Sequence, residues 1–424
     1  MTSEDSTSPR QRQKRRRRLA ILSKFLSLSN GKIDNHTEGI RDRRSTFSLN
    51  EDSLRSGHYN MTQTVSLTSL SHRRDFPTPW LEALFLPSFP TRSPRSLSEK
   101  SFTFFEEIGR GTFGIVRRAQ LKVLDRRICA IKMQDKSSVL IRGCAERAKQ
   151  EVDIVRRLPS CPFIVHLYAA WQTRTRLFSC FEYPPDGCDD LFSIWKDCGT
   201  LSEMAVRIIT AELGCALEFL HRNAIIYRDL KMENVIVDGE GHVKLTDFGM
   251  AKTLIDGERT RTVCGTLQYM APEVSGELSE GYGHSIDWWS LAITAHVLLT
   301  GRYPYPNAEC THHSQLVYVD YSTPPGRSPE ISILFDQMLH SKLEKRLHSF
   351  AELKSHSFFS SLIWEKVMER QYSLLPHIER CQRIARRRKK IREETMMKHE
   401  ETDEECEDFE GFNEKYEFNE EAIE

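Results

Sequence analysis

The chain has 424 residues, 39% of them hydrophobic and 28% charged, so one large folded domain with polar extensions fits better than several compact units. Lysine plus arginine and aspartate plus glutamate each number 60, giving zero formal charge, which argues against a protein that coats nucleic acid along its whole surface. The 11 cysteines include no CxxC pair or metal-like spacing, and the opening residues do not read as a signal peptide; reduced thiols in a cytoplasmic, or alternatively nuclear, protein are expected.

In chain order, the first hundred residues are rich in Ser, Thr and Arg, with few apolar residues in periodic order. They bury too little surface to offset the entropy of ordering, so residues 1–101 are expected to be a mostly disordered basic extension. Two islands interrupt it. The basic run Lys14 to Arg18 leads into Leu19, Leu22, Phe25 and Leu26, and reads equally as a nuclear-import signal, a helix on anionic lipid or a solvated charge run. The second, from Trp80 to Phe89, is apolar and is expected to pack on the domain. No apolar run approaches the ~20 residues that span a bilayer, and Met1-Thr2 lacks the glycine of a myristoylation site, so any membrane contact is expected to be peripheral.

From Phe102 short β-rich stretches give way to helical stripes alternating with strands, up to about Phe359, which is an α+β pattern. Beyond it come Trp364 and Pro376, a basic helical run from Arg380 to Arg392, and an acidic tail ending in Phe409-Glu-Gly-Phe412.

The chemistry begins with Ile108, Gly109, Arg110, Gly111, Thr112, Phe113, Gly114, Ile115 and Val116, a glycine-rich run between two strand-like stretches. Glycines in such a hairpin let backbone amides approach phosphate oxygens. A dinucleotide fold would want a helix directly afterwards, and β-branched residues and arginines stand there instead. Next, Cys129, Ala130 and Ile131 form an apolar strand ending in Lys132, with Glu151 in the helical run Ala145 to Leu158. A buried lysine is costly unless a carboxylate pairs with it.

Tyr227-Arg228-Asp229-Leu230-Lys231-Met232-Glu233-Asn234 then precedes two short strands, Val235 to Val237 and His242 to Leu245, followed by Asp247-Phe248-Gly249. Phosphoryl transfer needs a carboxylate to orient the incoming hydroxyl, a cation near the moving phosphoryl group, and oxygen ligands for Mg²⁺. Asp229, Lys231, and the pair Asn234 with Asp247 supply these in order.

With this array the chain resembles the protein kinase superfamily from Phe102 to Phe359, with Ala271-Pro272-Glu273 closing the activation segment and Asp287-Trp288-Trp289-Ser290 behind it. The resemblance implies a bilobal fold, a small β-rich lobe carrying one helix and a larger helical lobe, with ATP and Mg²⁺ as cofactors and transfer to Ser or Thr. It implies Lys132 and Glu151 on the α and β phosphates, and Val116, Ala130 and Ile236 around adenine. It also makes Glu273 and Arg346 a buried pair, Asp287 the anchor of the catalytic loop, and Val155, Tyr227 and Phe248 a regulatory stack. Tyr-Arg-Asp, Cys264-Gly265-Thr266 and the Phe-x-x-Phe tail look like the AGC group. Cys264 to Glu273, Lys231 to Asn234 and Leu84 to Pro90 resemble its ribosomal protein S6 kinase-related branch.

Within the AGC pattern, Arg147, Arg228 and Lys252 match positions that grip a phosphate on the activation segment, and Thr262 is its expected carrier, which implies an upstream activating kinase. Phe409 and Phe412 match a hydrophobic motif that docks beside the Glu151 helix, although Asn413 stands where regulated members carry Ser or Thr. Glu233 and Asp190 match the pair that draws Arg to the position three before the acceptor. Val297 stands where a carboxylate would select a second Arg, and Val263, Leu267 and Met270 favour an apolar residue after the acceptor.

The hinge departs from the pattern. It should run from the gatekeeper Phe181 through Glu182 and Tyr183 to Pro184 and Pro185, and proline at 184 has no N–H to give adenine. The missing bond is expected to cost about 1 kcal/mol of nucleotide affinity. These prolines motivate the rival reading, a weakly active or inactive kinase-fold scaffold. Aromatic interleaving of the basic runs is sparse, so no specific nucleic-acid partner is expected, and the chain reads as a monomer.

Overall fold

The computed structural model describes residues 78–91, 97–111, 114–122, 126–184, 188–255, 257–275, 281–305, 323 and 325–387. The Lys14 to Arg18 run, Thr112, Phe113, Pro185, residues 388–392 of the basic run, and Phe409, Phe412 and Asn413 lie outside the described residues.

The small lobe is a five-stranded sheet in the order β1-β2-β3-β5-β4, comprising β1 (Phe102–Gly111), β2 (Gly114–Leu121), β3 (Ile128–Asp135), β4 (Leu167–Gln172) and β5 (Arg176–Glu182). Its pairings are antiparallel. Period-two alternation decides its faces. In β3, Cys129, Ile131 and Met133 are buried, while Ala130 and Lys132 between them are half-buried on the opposite face. The first set joins a small core with Phe102, Trp171, Phe178 and Cys180. There the indole of Trp171 stacks between Phe102 at 5.8 Å and Phe178 at 5.1 Å. The second set faces the large lobe together with Val116, which pairs with Lys132.

Three helices flank this sheet: α1 (Thr78–Ala83), α2 (Lys136–Ile141) and α3 (Ala145–Arg157). Asp135 caps α2 by accepting from the Ser138 amide at 3.1 Å. Along α3, Ala148, Glu151, Val152 and Val155 are buried at the three- and four-residue spacing of one helical face.

The large lobe is built on α5 (Glu203–Arg222) and α7 (Ser285–Thr300), with α4 (Leu191–Cys198), α6 (Pro272–Ser275), α8 (Pro329–Met338), α9 (Phe350–Ser355) and α10 (Trp364–Met368) around them. Helix α7 is buried from Ile286 through Leu299, on every face, which is the signature of a central core helix. Gly301 ends it in a left-handed conformation, φ 78°, its amide bonding the Val297 carbonyl at 2.8 Å. A three-stranded sheet in the order β6-β8-β9 (Cys188–Asp190, Val235–Asp238, Val243–Leu245) and the pair β7 (Ile225–Ile226) with β10 (Lys252–Thr253) lie where the lobes meet.

The packed body extends past residues 102–359 at both ends. Phe85 and Phe89 are fully buried upstream, and Trp364, Val367, Leu374 and Cys381 are buried downstream in the same core. Residues 375–387 are helical, in keeping with the expected basic helix. Among the described residues no helix is long and apolar enough to cross a membrane.

Candidate active site

The glycine-rich run forms the expected hairpin, with Gly109 opposite Val116, Arg110 opposite Ile115 and Gly111 opposite Gly114. At Gly114 any side chain is excluded, since a Cβ there would sit 1.8 Å from the Met133 carbonyl oxygen, whereas the space a Cβ at Gly111 would fill is open. Behind this hairpin, Lys132 Nζ lies 2.7 Å from both carboxylate oxygens of Glu151, so β3 and α3 are locked together. Burial acts to pull the Lys132 pKa down, but Glu151 and then Asp247 outweigh it and hold the ammonium charged well above its ordinary range. Reciprocally, Lys132 holds the Asp247 carboxyl below the usual aspartate value against the effect of burial.

The loop between β7 and β8 hangs from Asp287 on α7. Its Oδ2 accepts from the Tyr227 amide at 2.9 Å and Oδ1 from the Arg228 amide at 2.8 Å, and Oδ2 also lies 2.8 Å from His221 Nε2. These bonds support Arg228 at φ 69°, a left-handed conformation unfavourable for a side-chain-bearing residue. Asp247, at φ 56°, is held likewise, with Gly249 N donating to its Oδ1 at 3.2 Å.

Within that loop the residues read from sequence as catalytic form a closed constellation. Lys231 Nζ is 2.9 Å from Asp229 Oδ2, and Asn234 Nδ2 donates to the Asp229 carbonyl at 2.9 Å and to Oδ2 at 3.0 Å. The Thr266 hydroxyl donates to Asp229 Oδ1 at 2.9 Å and accepts from Lys231 Nζ at 2.9 Å, tying the activation segment to the loop. Tyr227 packs edge-on to Phe248, ring centroids 5.3 Å apart, and its hydroxyl donates to the Thr246 carbonyl. Phe248 and Val155 are both buried in the large core.

At the hinge Ala130 pairs with Phe181, Glu182 ends β5, and Pro184 is buried just beyond it. The Glu182 carboxylate takes the His166 amide at 3.2 Å and Lys244 Nζ at 2.8 Å. Ile236 is half-buried on β8 opposite Asp190.

The activation-segment residues come together only in part. Thr262 is exposed, and its carbonyl accepts from the Tyr282 hydroxyl. Burial, followed by Cys264, pushes that hydroxyl's pKa up to about 12, with Arg228 opposing, so Arg228 and Thr262 converge on Tyr282. Arg228 Nε donates to the Met250 carbonyl at 2.6 Å, while its buried Nη1 has no hydrogen-bond partner among the described residues. Lys252 is engaged within its own segment, 3.4 Å from Thr260 Oγ1 and 3.7 Å from Glu258. Arg147 stands exposed on the first turn of α3, which packs against β10.

The expected substrate residues also divide. Asp190 caps α4, accepting from the Ser193 amide at 2.8 Å and hydroxyl at 2.6 Å. Glu233 is exposed on the same loop as Asp229. Lost hydration first, then Asp190 and Asp229, raise its pKa, with a backbone amide and Lys231 opposing. Val297 is fully buried, and Val263 is exposed beside half-buried Leu267 and Met270. Arg346, 1% exposed, grips Glu273 through two bonds of 2.6 and 3.0 Å.

The protein kinase domain family matches this chain over residues 102–359. The chain belongs to the protein kinase family. The kinase is 49% identical to a Caenorhabditis elegans protein whose name describes a serine/threonine-protein kinase, over 71% of this chain and 67% of that one. It is 37% identical to the ribosomal protein S6 kinase-related protein of Homo sapiens, over 69% of each. Similarity to the cAMP-dependent protein kinase catalytic subunit of Dictyostelium discoideum, 34% identical over 70% of this chain and 45% of that one, agrees with the AGC resemblance.

Several working contacts of the kinase are not legible in its sequence. The Thr266 bridge was signalled only as part of Cys264-Gly265-Thr266. The Tyr282 contact with Thr262, the Lys244 pairing with Glu182 and the His221 pairing with Asp287 carried no local signal, because each joins segments far apart in the chain.

Proposed function

We propose that this kinase transfers the γ-phosphoryl group of ATP to serine or threonine hydroxyls of protein substrates carrying basic residues before the acceptor, in intracellular signalling. The observation that carries this reading is the closed Asp229, Lys231, Asn234 and Thr266 constellation, standing beside a formed Lys132–Glu151 pair. Asp229 orients the acceptor hydroxyl and takes its proton, and Lys231 balances charge on the phosphoryl group being moved. Lys132, charged and fixed by Glu151, holds the α and β phosphates, and amides of the run from Ile108 to Val116 line the others.

The donor set fits Mg²⁺. The amide nitrogen of Asn234 is spent on Asp229, which leaves its oxygen for a cation, and Asp247 is kept ionised by Lys132. A cation held by these two oxygen donors would complete its shell with phosphate and water. Bound there, Mg²⁺ would neutralise charge on the phosphate oxygens.

The scaffold alternative rests on Pro184, yet the lost hinge bond is a matter of about 1 kcal/mol and leaves every charged group of the site in place. Activation through Thr262 by an upstream kinase is supported by the exposure of Thr262 and by Arg228, whose buried Nη1 has no hydrogen-bond partner among the described residues. A monomeric protein of the cytoplasm, with the nucleus as a second location, completes the proposal. A positional peptide library tests the substrate assignment. Arg is expected at minus three, an apolar residue at plus one, and no second Arg preference at minus two, with Glu233→Gln weakening the minus-three preference. A profile dominated by proline or acidic residues would overturn it.

A further inference from the structure

Phe85 and Phe89 are among the largest fully buried side chains in the molecule, although they lie upstream of the family-matched residues. Their rings meet edge-to-face at 6.4 Å, and the segment carrying them, residues 82–90 from the last turn of α1 onward, is tied to three elements of the small lobe. On α3, Asp153 Oδ2 accepts from the Ser88 hydroxyl at 2.6 Å and the Arg156 guanidinium donates to the Ser88 carbonyl. On β4, the Gln172 side-chain amide donates to the Glu82 carbonyl at 3.0 Å and to that of Phe89, and its backbone amide donates to the Pro90 carbonyl at 3.0 Å. On α2, fully buried Lys136 donates to Gln172 Oε1 at 2.5 Å, with its ammonium 5.5 Å from the centre of the Phe85 ring.

We propose that this strap is an activating segment built into the chain. It fills the groove between α3 and β4 and holds α3 in the position that presents Glu151 to Lys132. Asp153, its main anchor, lies on the same helix within one turn of Glu151. Phe85 and Phe89 share a continuous core with Ala148, Val152 and Val155 of the buried face of α3. Withdrawing the strap would expose the apolar groove to water and strip α3 of the Ser88 bonds to Asp153 and Arg156, leaving the helix less firmly seated against β4. The groove adjoins the helix beside which Phe409 and Phe412 are expected to dock, so the strap takes over the task of that tail motif and needs no phosphate to perform it. This inference rests on the kinase reading for its consequence in activity, but the seating of α3 can be measured without activity.

The test uses the full chain as wild type, Phe85→Ala/Phe89→Ala, Ser88→Ala and Phe409→Ala/Phe412→Ala. Hydrogen–deuterium exchange of residues 145–157 and peptide phosphorylation are followed in each. Loss of both strap rings should speed exchange on α3 and lower kcat/KM by about tenfold, and a synthetic peptide of residues 78–91 should reverse both effects. Ser88→Ala, which removes one hydrogen bond to a carboxylate without opening a cavity, should speed that exchange about fivefold. The tail variant should match wild type. Unchanged exchange in Ser88→Ala overturns the proposal even where the double variant fails to fold. So does a folded double variant that the peptide does not restore, or a tail variant that reproduces its defects. Absence of phosphotransfer in wild type would instead count against the kinase reading and leave the exchange result standing.

Discussion

Replacing Arg346 by methionine probes the joint between the activation segment and the large lobe. Arg346 is 1% exposed; its guanidinium makes two bonds to Glu273 of 2.6 and 3.0 Å, one to the His340 carbonyl of 2.9 Å and a longer one to the Ser341 carbonyl of 3.5 Å, and lies 4.7 Å from the centre of a Trp289 ring. Methionine fills much of that volume, so the loss is mainly electrostatic. The Glu273 carboxylate, 12% exposed, would keep only a 3.4 Å contact with the Ser285 hydroxyl. An uncompensated buried charge of this kind costs about 3–5 kcal/mol, a large share of the about 5–15 kcal/mol that holds a domain folded. Urea denaturation followed by circular dichroism should therefore show a lower midpoint at unchanged slope. Adding Glu273→Gln to Arg346→Met removes the stranded charge and should recover about 1–3 kcal/mol. A loss below about 1 kcal/mol in Arg346→Met, or a double variant as unstable as the sum of the singles, would refute this reasoning.

Pro184→Val supplies the missing hinge donor and should tighten ATP about fivefold by calorimetry, the equivalent of one neutral hydrogen bond; unchanged affinity would show that adenine does not use this position. Burial lowers the Lys136 pKa from its ordinary 10.5 to about 8, with Glu82 opposing. Between these values the unfolded chain holds a proton that the folded chain has released, so wild type should gain stability relative to Lys136→Met as pH rises from 8 toward 10.5, and parallel curves would contradict the assignment. Thr262→Ala should phosphorylate peptides at least about tenfold more slowly than a sample fully phosphorylated at Thr262, and equal rates would remove Thr262 as the switch.

What could be read from the sequence was chemistry carried on short, contiguous spacing. Asp229, Lys231 and Asn234 lie on one loop, and Asp247 ends the strand pair that follows it, so the motif already implied their proximity. Lys132 and Glu151 were legible as a pair because a lysine at the end of an apolar strand needs a carboxylate. Arg346 was joined to Glu273, and Asp287 to the catalytic loop, only through the family resemblance. The Thr266 hydroxyl, Tyr282, Gln172 and Lys136 escaped because an isolated polar residue gives no sign of which distant backbone atom it will meet. The strap was expected to pack on the domain, but its place against α3 is set by the Ser88 bonds to Asp153 and Arg156, which join segments far apart in the chain and which no periodicity encodes.

The central claim is phosphoryl transfer by the Asp229 constellation. Its most direct test compares full-length wild type with Asp229→Asn, both folded, incubated with radiolabelled ATP, Mg²⁺ and a pool of Ser/Thr peptides with arginine three residues before the acceptor. Wild type is predicted to label the peptides at a rate at least about a thousandfold above Asp229→Asn, as expected when the group that orients the hydroxyl and takes its proton is removed. Labelling by wild type no faster than by Asp229→Asn would contradict the account.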